Sequence, residues 1–226
     1  YTTFEVRSYN HSGDTESRRI TPFIRENESI GQTGDVVLVS SGTFSENVTV
    51  NNSVTLRGNN YNVSCSGARV AESIISGPSG AGSSAVTVAA DGVNVNGFKI
   101  TNVAGNYAVA AAGRNNLAII NNIITNVGTL PVLSGNTHAV AITMSSSANI
   151  ANTNVSDNCF SNIKGGEDPG LTGNAAKANN GSASAIAVGF SGANFDINGL
   201  TIERNTIDNV TACTQPFTDG GKGAYG

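Results

Sequence analysis

The chain has no tryptophan, one methionine and two histidines in 226 residues, and only 12% of it is charged. That is about half the usual charged share. Twelve Lys and Arg face 16 Asp and Glu, giving a formal charge of −4. Such a balance provides no basic stripe, so no nucleic-acid partner is expected. No apolar run approaches the ~18 residues of a membrane span, and none is expected. His11 and His138 stand alone in sequence, which makes them surface residues rather than members of a metal or acid–base constellation. The phrase Gly-x-Ser-x-Gly is missing, so a nucleophile elbow has no support. Three cysteines, Cys65, Cys159 and Cys213, are an odd count at unmatched positions. They read as buried or unpaired thiols, with a disulfide within or between chains as the alternative.

What is plentiful is small and neutral: 27 Gly, 30 Asn and 45 Ser plus Thr. Eight Asn-x-Ser/Thr sequons occur, at Asn10, Asn27, Asn47, Asn51, Asn62, Asn154, Asn180 and Asn209. That number is close to chance for this composition, although it leaves an exported glycoprotein open. The chain opens on Tyr rather than Met, which suits either a removed leader or a fragment. Its length suits one domain.

Four segments share one register: 93–103, 117–127, 153–163 and 200–210. Two residues before the last Asn of each stand Ile100, Ile124, Phe160 and Ile207; one residue after it stand Val103, Val127, Ile163 and Val210. Further upstream, Val93/Val95, Leu117/Ile119, Thr153/Val155 and Leu200/Ile202 alternate as a half-buried strand does. The Asn itself recurs at 102, 126, 162 and 209, with spacings of 24, 36 and 47. A variable period with a constant internal register predicts one coil repeated, with insertions at one point of the turn. The expected fold is all-β: a parallel β-helix with three sheets and about five coils, over residues 35–226.

The recurring amides predict ladders. Asn102, Asn126, Asn162 and Asn209 are expected to hydrogen-bond between coils about 4.8 Å apart and to occupy left-handed bends. A second column, Asn122, Asn158 and Asn205, lies four residues earlier, with Phe98 in the first coil. Both are expected to be structural. Asp157 and Arg204 share a column in adjacent coils and are expected to form a surface pair.

Residues 1–34 differ. Nine of the 28 charges fall within residues 1–28, and Phe4-Glu5-Val6-Arg7-Ser8-Tyr9 alternates like a strand. A solenoid end is an exposed sheet edge. This segment is therefore expected either to cap the first coil or, through Phe4, Val6 and Tyr9, to be a strand exchanged with a neighbour.

The run Gly34-Asp35-Val36-Val37-Leu38-Val39-Ser40-Ser41-Gly42-Thr43-Phe44, with Glu46-Asn47-Val48 and Val54-Thr55-Leu56-Arg57-Gly58, resembles the opening coil of the right-handed parallel β-helix families related to pectate lyases and pectin methylesterases. With the later coils, the resemblance covers about four-fifths of the chain. It implies the fold, a right-handed parallel β-helix. Activity in those families is implied to need a Lys or Arg base with metal-holding carboxylates, or paired Asp with Arg and Gln. These groups gather on or beside the strand after the long loops. Here that strand's outward positions include Thr87, Ala89, Ala110, Ala141, Thr143 and Ala187, which lack acid, base and nucleophile. They are expected to form a flat contact face unless the long loops fold back over it.

Glu167-Asp168, in a Gly-rich loop, offers oxygen ligands of the kind Ca²⁺ takes, but an adjacent acidic pair also suits plain solvation, and no cofactor is expected. The expected function is a non-catalytic extracellular or cell-surface structural protein (surface-layer, sheath, filament or adhesin subunit) associating with copies of itself. The alternative is a carbohydrate-binding or polysaccharide-active module whose groove beside the long loops takes a cell-surface glycan.

Overall fold

The computed structural model describes residues 4–9, 15–20, 33–77, 83–102, 105–129, 139–144, 149–165, 183–188, 196–211 and 224–225. Two strands, β1 (Phe4–Tyr9) and β2 (Thr15–Ile20), precede the solenoid. Coil 1 holds β3 (Val36–Leu38), β4 (Gly42–Phe44) and β5 (Val48–Val50); coil 2 holds β6 (Thr55–Arg57), β7 (Ser73–Ser76) and β8 (Ser84–Val88). Coil 3 comprises β9 (Asn94–Asn96), β10 (Lys99–Asn102) and β11 (Tyr107–Ala110). Coil 4 comprises β12 (Ala118–Ile120), β13 (Ile123–Val127) and β14 (Ala139–Thr143). Coil 5 is β15 (Ile150–Ser156), β16 (Cys159–Lys164) and β17 (Ala183–Ala187), and coil 6 is β18 (Ile197–Glu203), β19 (Thr206–Thr211) and β20 (Ala224–Tyr225).

These strands stack into three six-stranded sheets, with every neighbour three strands away in sequence. All pairings within them are parallel. The chain is a right-handed parallel β-helix, its repeated coil as the register predicts and its hand as the resemblance implies. The described residues form six coils, against about five expected, because residues 34–58 contain the whole of coil 1 and also β6, which opens coil 2.

The core is built from columns. In the first sheet Val37, Leu56, Val95, Ile119, Val155 and Ile202 stand in one line. In the second, Phe44, Ile75, Ile100, Ile124, Phe160 and Ile207 do the same. The third contributes Val48, Val86, Val109, Ile142 and Ile186. Branched side chains suit such a pleated, half-buried surface, and stacking like on like lets each coil bury what it could not cover alone.

The N-terminal strand Phe4–Tyr9 is not inserted into any of the three sheets. It pairs antiparallel with β2, Phe4 opposite Ile20, Val6 opposite Arg18 and Tyr9 opposite Thr15, and it lies beside β3 of the first coil.

Candidate functional site

The strongest polar constellation is the buried amide ladder at the bend between the first and second sheets. Asn122 and Asn158 are fully buried. Asn122 donates its backbone N–H to Asn158 Oδ1 at 2.9 Å, and Asn158 donates its own to Asn205 Oδ1 at 3.0 Å. Their Nδ2 atoms also donate upward, at 3.2 and 3.1 Å. Downward, the Nδ2 atoms of Asn122, Asn158 and Asn205 donate to the carbonyls of Val95, Ile119 and Val155. Phe98 begins the column by donating its N–H to Asn122 Oδ1. The bend cannot form strand hydrogen bonds, so these side chains satisfy the backbone there.

The second ladder is shorter than its spacing implies. Asn126, Asn162 and Asn209 adopt positive φ of 56°, 53° and 50°. Asn162 Nδ2 donates to Asn126 Oδ1, and Asn209 Nδ2 to Asn162 Oδ1, at the exposed surface. Asn102 does not belong to it. Between Ile100 and Asn102 the register slips, so that Asn102 stands opposite Val127 rather than Asn126. Coil 3 lacks the extra left-handed residue of the later coils, and Asn102 takes the inward position instead. There it is buried, and its Nδ2 donates to the carbonyls of Ser83 and Tyr107.

An excursion between β6 and β7, residues 58–72, forms an axial strap that single-coil reasoning misses. Gly58 N–H donates to the Asn96 carbonyl and Asn60 N–H to that of Gly97. Gly97 has φ +82°, and a Cβ there would lie 2.4 Å from the Asn60 backbone, so only glycine allows this approach. Further along, Cys65 N–H donates to the Asp157 carbonyl, and Cys65 is bonded to Cys159, with Cα atoms 5.5 Å apart. The strap thus crosses coils 3, 4 and 5. The reading of unpaired thiols is corrected for these two cysteines; Cys213 lies outside the described residues.

Arg69 locks the strap's return. Its side chain is almost fully buried and pairs with Glu72 through Nε and Nη2 at 2.7 and 2.9 Å. Nη1 donates to the carbonyls of Val63 and Asn121, and Nη2 to that of Phe98. A planar, always-charged fork suits several fixed acceptors. Sequence reading passed over this pair, for which the i,i+3 spacing of Arg69 and Glu72 was the available signal.

The expected contact face is partly covered. Thr49, Thr87, Ala110, Thr143 and Ala187 do align in one column of the third sheet. Thr87, Ala89 and Ala110 are half-buried, whereas Ala141, Thr143 and Ala187 are buried. Ala85, Ala108 and Ala185 are buried as well, beside the buried core residues Val86 and Val109. Adjacent strand residues face opposite ways, so both faces of this sheet are covered at that level.

Asp157 and Arg204 meet as expected. Arg204 Nε and Nη2 donate to Asp157 Oδ1 and Oδ2 at 2.9 and 2.8 Å, and Arg204 Nη1 also pairs with Glu203. The hydrogen bonds and charge of Arg204 hold the Asp157 carboxyl below its ordinary value of 3.8. A carboxyl depressed in the folded state adds stability above its unfolded pKa, and loses that contribution as pH falls through the folded one. Arg204→Gln is therefore expected to melt slightly lower than the parent near pH 6, with the gap closing below about pH 3. Melting curves across this range check it; a gap that widens toward acid contradicts the pairing.

The sixth coil ends differently from the others. Ile197, Ile202 and Ile207 are 46%, 47% and 42% exposed. They stand over Ile150, Val155 and Phe160, all of them buried. Glu167, Asp168, His11 and His138 lie outside the described residues. Among the described residues, no group of three or more His, Cys, Asp and Glu is arranged to hold a metal ion, and no helix is long and apolar enough to cross a membrane. Comparison with protein-family models, with curated proteins and with solved structures finds no match to this chain.

Proposed function

We propose that this chain is a non-catalytic structural β-solenoid working outside the cytoplasm, at a cell surface or in an extracellular layer, and associating with copies of itself. The observation that carries the reading is where its polar chemistry is invested. The buried Asn122–Asn158–Asn205 ladder, the Asn126–Asn162–Asn209 ladder, Arg69 and the Asp157–Arg204 pair all join one coil to another. Where the lyases and esterases that the opening coil resembles gather acids, bases and metal ligands, this chain places Thr49, Thr87, Ala110, Thr143 and Ala187. That departure, set beside the resemblance, supports placing it in a non-catalytic branch of that superfamily. The Cys65–Cys159 bond favours an oxidising compartment.

Purified chain is expected to release neither unsaturated uronates from polygalacturonate nor methanol from esterified pectin, with or without added Ca²⁺. Steady product release abolished by one point mutation would overturn the non-catalytic reading in favour of the polysaccharide-active alternative. Size-exclusion chromatography and electron microscopy of the same material test the structural part, for which sheets or filaments are the expected result.

A further inference from the structure

Of the eight Asn-x-Ser/Thr sequons, Asn10, Asn27 and Asn180 lie outside the described residues. The other five fall into two physical classes. Asn154 and Asn209 are built into the stack. Asn154 sits mid-strand in β15, between Ala118 and Thr201 of the flanking coils. It is half-buried with its Oδ1 covered, and Ser156, the hydroxyl residue of its sequon, is buried. Asn209 donates its Nδ2 to Asn162 Oδ1, and its own Oδ1 accepts from the Thr211 hydroxyl of the same sequon. A bulky group on Nδ2 would crowd the neighbouring coils at Asn154 and the exposed ladder at Asn209.

Asn47, Asn51 and Asn62 differ on each count. All three are exposed and lie in bends or turns outside the strands. Asn47 and Asn51 flank β5, and neither side chain holds a hydrogen bond among the described residues. Asn62 stands on the strap. Its backbone N–H donates to Asn96 Oδ1 at 3.1 Å, and its Oδ1 accepts from Asn96 Nδ2 at 3.0 Å. That exchange fixes the amide while its Nδ2 has no acceptor among the described residues, so a substituent there breaks no existing bond.

We propose that Asn47, Asn51 and Asn62 are N-glycosylation sites, each taking an oligosaccharide from a lipid-diphosphate donor through a transferase. The inference rests on the reading of an extracellular chain and adds where its surface is modified. In the transfer, Nδ2 attacks C1 of the first sugar. The N–C1 bond forms, the C1–O bond to the diphosphate breaks with its electron pair, and the amide proton passes to a base of the transferase. The Cys65–Cys159 bond points to the same oxidising compartment in which such transfer takes place. The sites also suit the chain's chemistry. With only 12% charged residues, it is kept in solution by neutral polar cover, which a glycan extends. β5 is the last strand of the third sheet, and a bulky chain on either side of it hinders pairing through that edge.

The test secretes the full chain from a eukaryotic cell line and cleaves it into peptides that separate the sequons. Enzymatic removal of glycans in heavy-oxygen water turns each glycosylated Asn into labelled Asp, which mass spectrometry locates. Label is expected at Asn47, Asn51 and Asn62, and none at Asn154 or Asn209. The variant Thr49→Val/Asn51→Gln/Ser64→Ala removes the three sequons while keeping Asn62 at its φ of 60°. It is expected to lose three glycans from its mass and to melt with the enzymatically deglycosylated parent. Should that combination not fold, Ser64→Ala alone reads the strap site.

A secreted chain that carries the Cys65–Cys159 bond but is bare at Asn47, Asn51 and Asn62 would overturn the proposal and leave the extracellular reading standing. One of the three left bare removes that residue from the assignment. Label at Asn154 or Asn209 in the folded chain would also overturn it, because exposure and a free Nδ2 would then not select the sites. A chain retained in the cell without the Cys65–Cys159 bond would remove the extracellular reading together with the proposal.

Discussion

Asn158→Ala is expected to destabilise the protein by about 3–5 kcal/mol, because it leaves two buried backbone groups unsatisfied at about 1–3 kcal/mol each. The side chain is fully buried and its amide serves both directions of the stack. Its Oδ1 accepts the Asn122 N–H at 2.9 Å and Asn122 Nδ2 at 3.2 Å; its Nδ2 donates to the Ile119 carbonyl at 2.8 Å. Truncation leaves the Asn122 N–H and the Ile119 carbonyl without these partners at a fully buried position. In a chain of this length the loss corresponds to a fall in melting temperature on the order of 10 °C.

Asn158→Asp is expected to fare no better at neutral pH. It keeps the acceptor facing Asn122 but places a carboxylate oxygen where Nδ2 faced Asn205 Oδ1 and the Ile119 carbonyl. The exposed ladder supplies the contrast. Asn126→Ala should cost only about 1–2 kcal/mol, mostly for holding alanine at φ 56°, and Asn126→Gly should recover most of it. Urea titrations of the four variants check this order. Equal losses for Asn158→Ala and Asn126→Ala would mean that the buried column does not carry the stack.

The contrast also explains what could be read before any coordinates. Core columns and the Asn122–Asn158–Asn205 ladder were legible because each residue repeats at a fixed offset from the same apolar neighbours. Asn102 misled for the same reason. It is followed by Val103 just as Asn126 is followed by Val127, so counting back from the Asn cannot detect that coil 3 is one residue shorter at the bend. Only the slip between Ile100 and Asn102 shows that an inward amide has replaced an outward one. The alanines of the third sheet posed a different problem. Their small size suits either an open platform or a covered surface, and burial differs along the strip, with Ala141, Thr143 and Ala187 buried and Thr87, Ala89 and Ala110 half-buried. The strap was illegible because residues 58–72 belong to no repeat. Cys65 has no column mate, and its pairing with Cys159 depends on where the excursion travels across three coils. The open sixth coil was hidden too, since Ile202 and Ile207 look in sequence like any other core residues.

Removing the Cys65–Cys159 bond, by Cys65→Ser with Cys159→Ser or by reduction, is expected to cost about 2–4 kcal/mol. The two cysteines lie 94 residues apart, and the chain-entropy argument sets a ceiling near 4.6 kcal/mol for a loop of that size. The bond constrains the unfolded chain, but in the folded state it also pins the strap across coils 3 to 5.

Arg69 pins the same strap from its other limb, with Glu72 beside it and the carbonyls of Val63, Phe98 and Asn121 as acceptors. Arg69→Ala strips a nearly buried ion pair of one partner and leaves Glu72 unpaired, which is worth about 3–5 kcal/mol. If the strap lifts as a unit when either anchor is cut, the two losses are not additive. The variant lacking both anchors should then be less destabilised than the sum of the separate effects, by at least about 1 kcal/mol. Denaturant unfolding of the parent, each variant and the combination closes the cycle. Strict additivity would mean that each anchor acts only on its own coil, and that the excursion is a decorated loop rather than a strap.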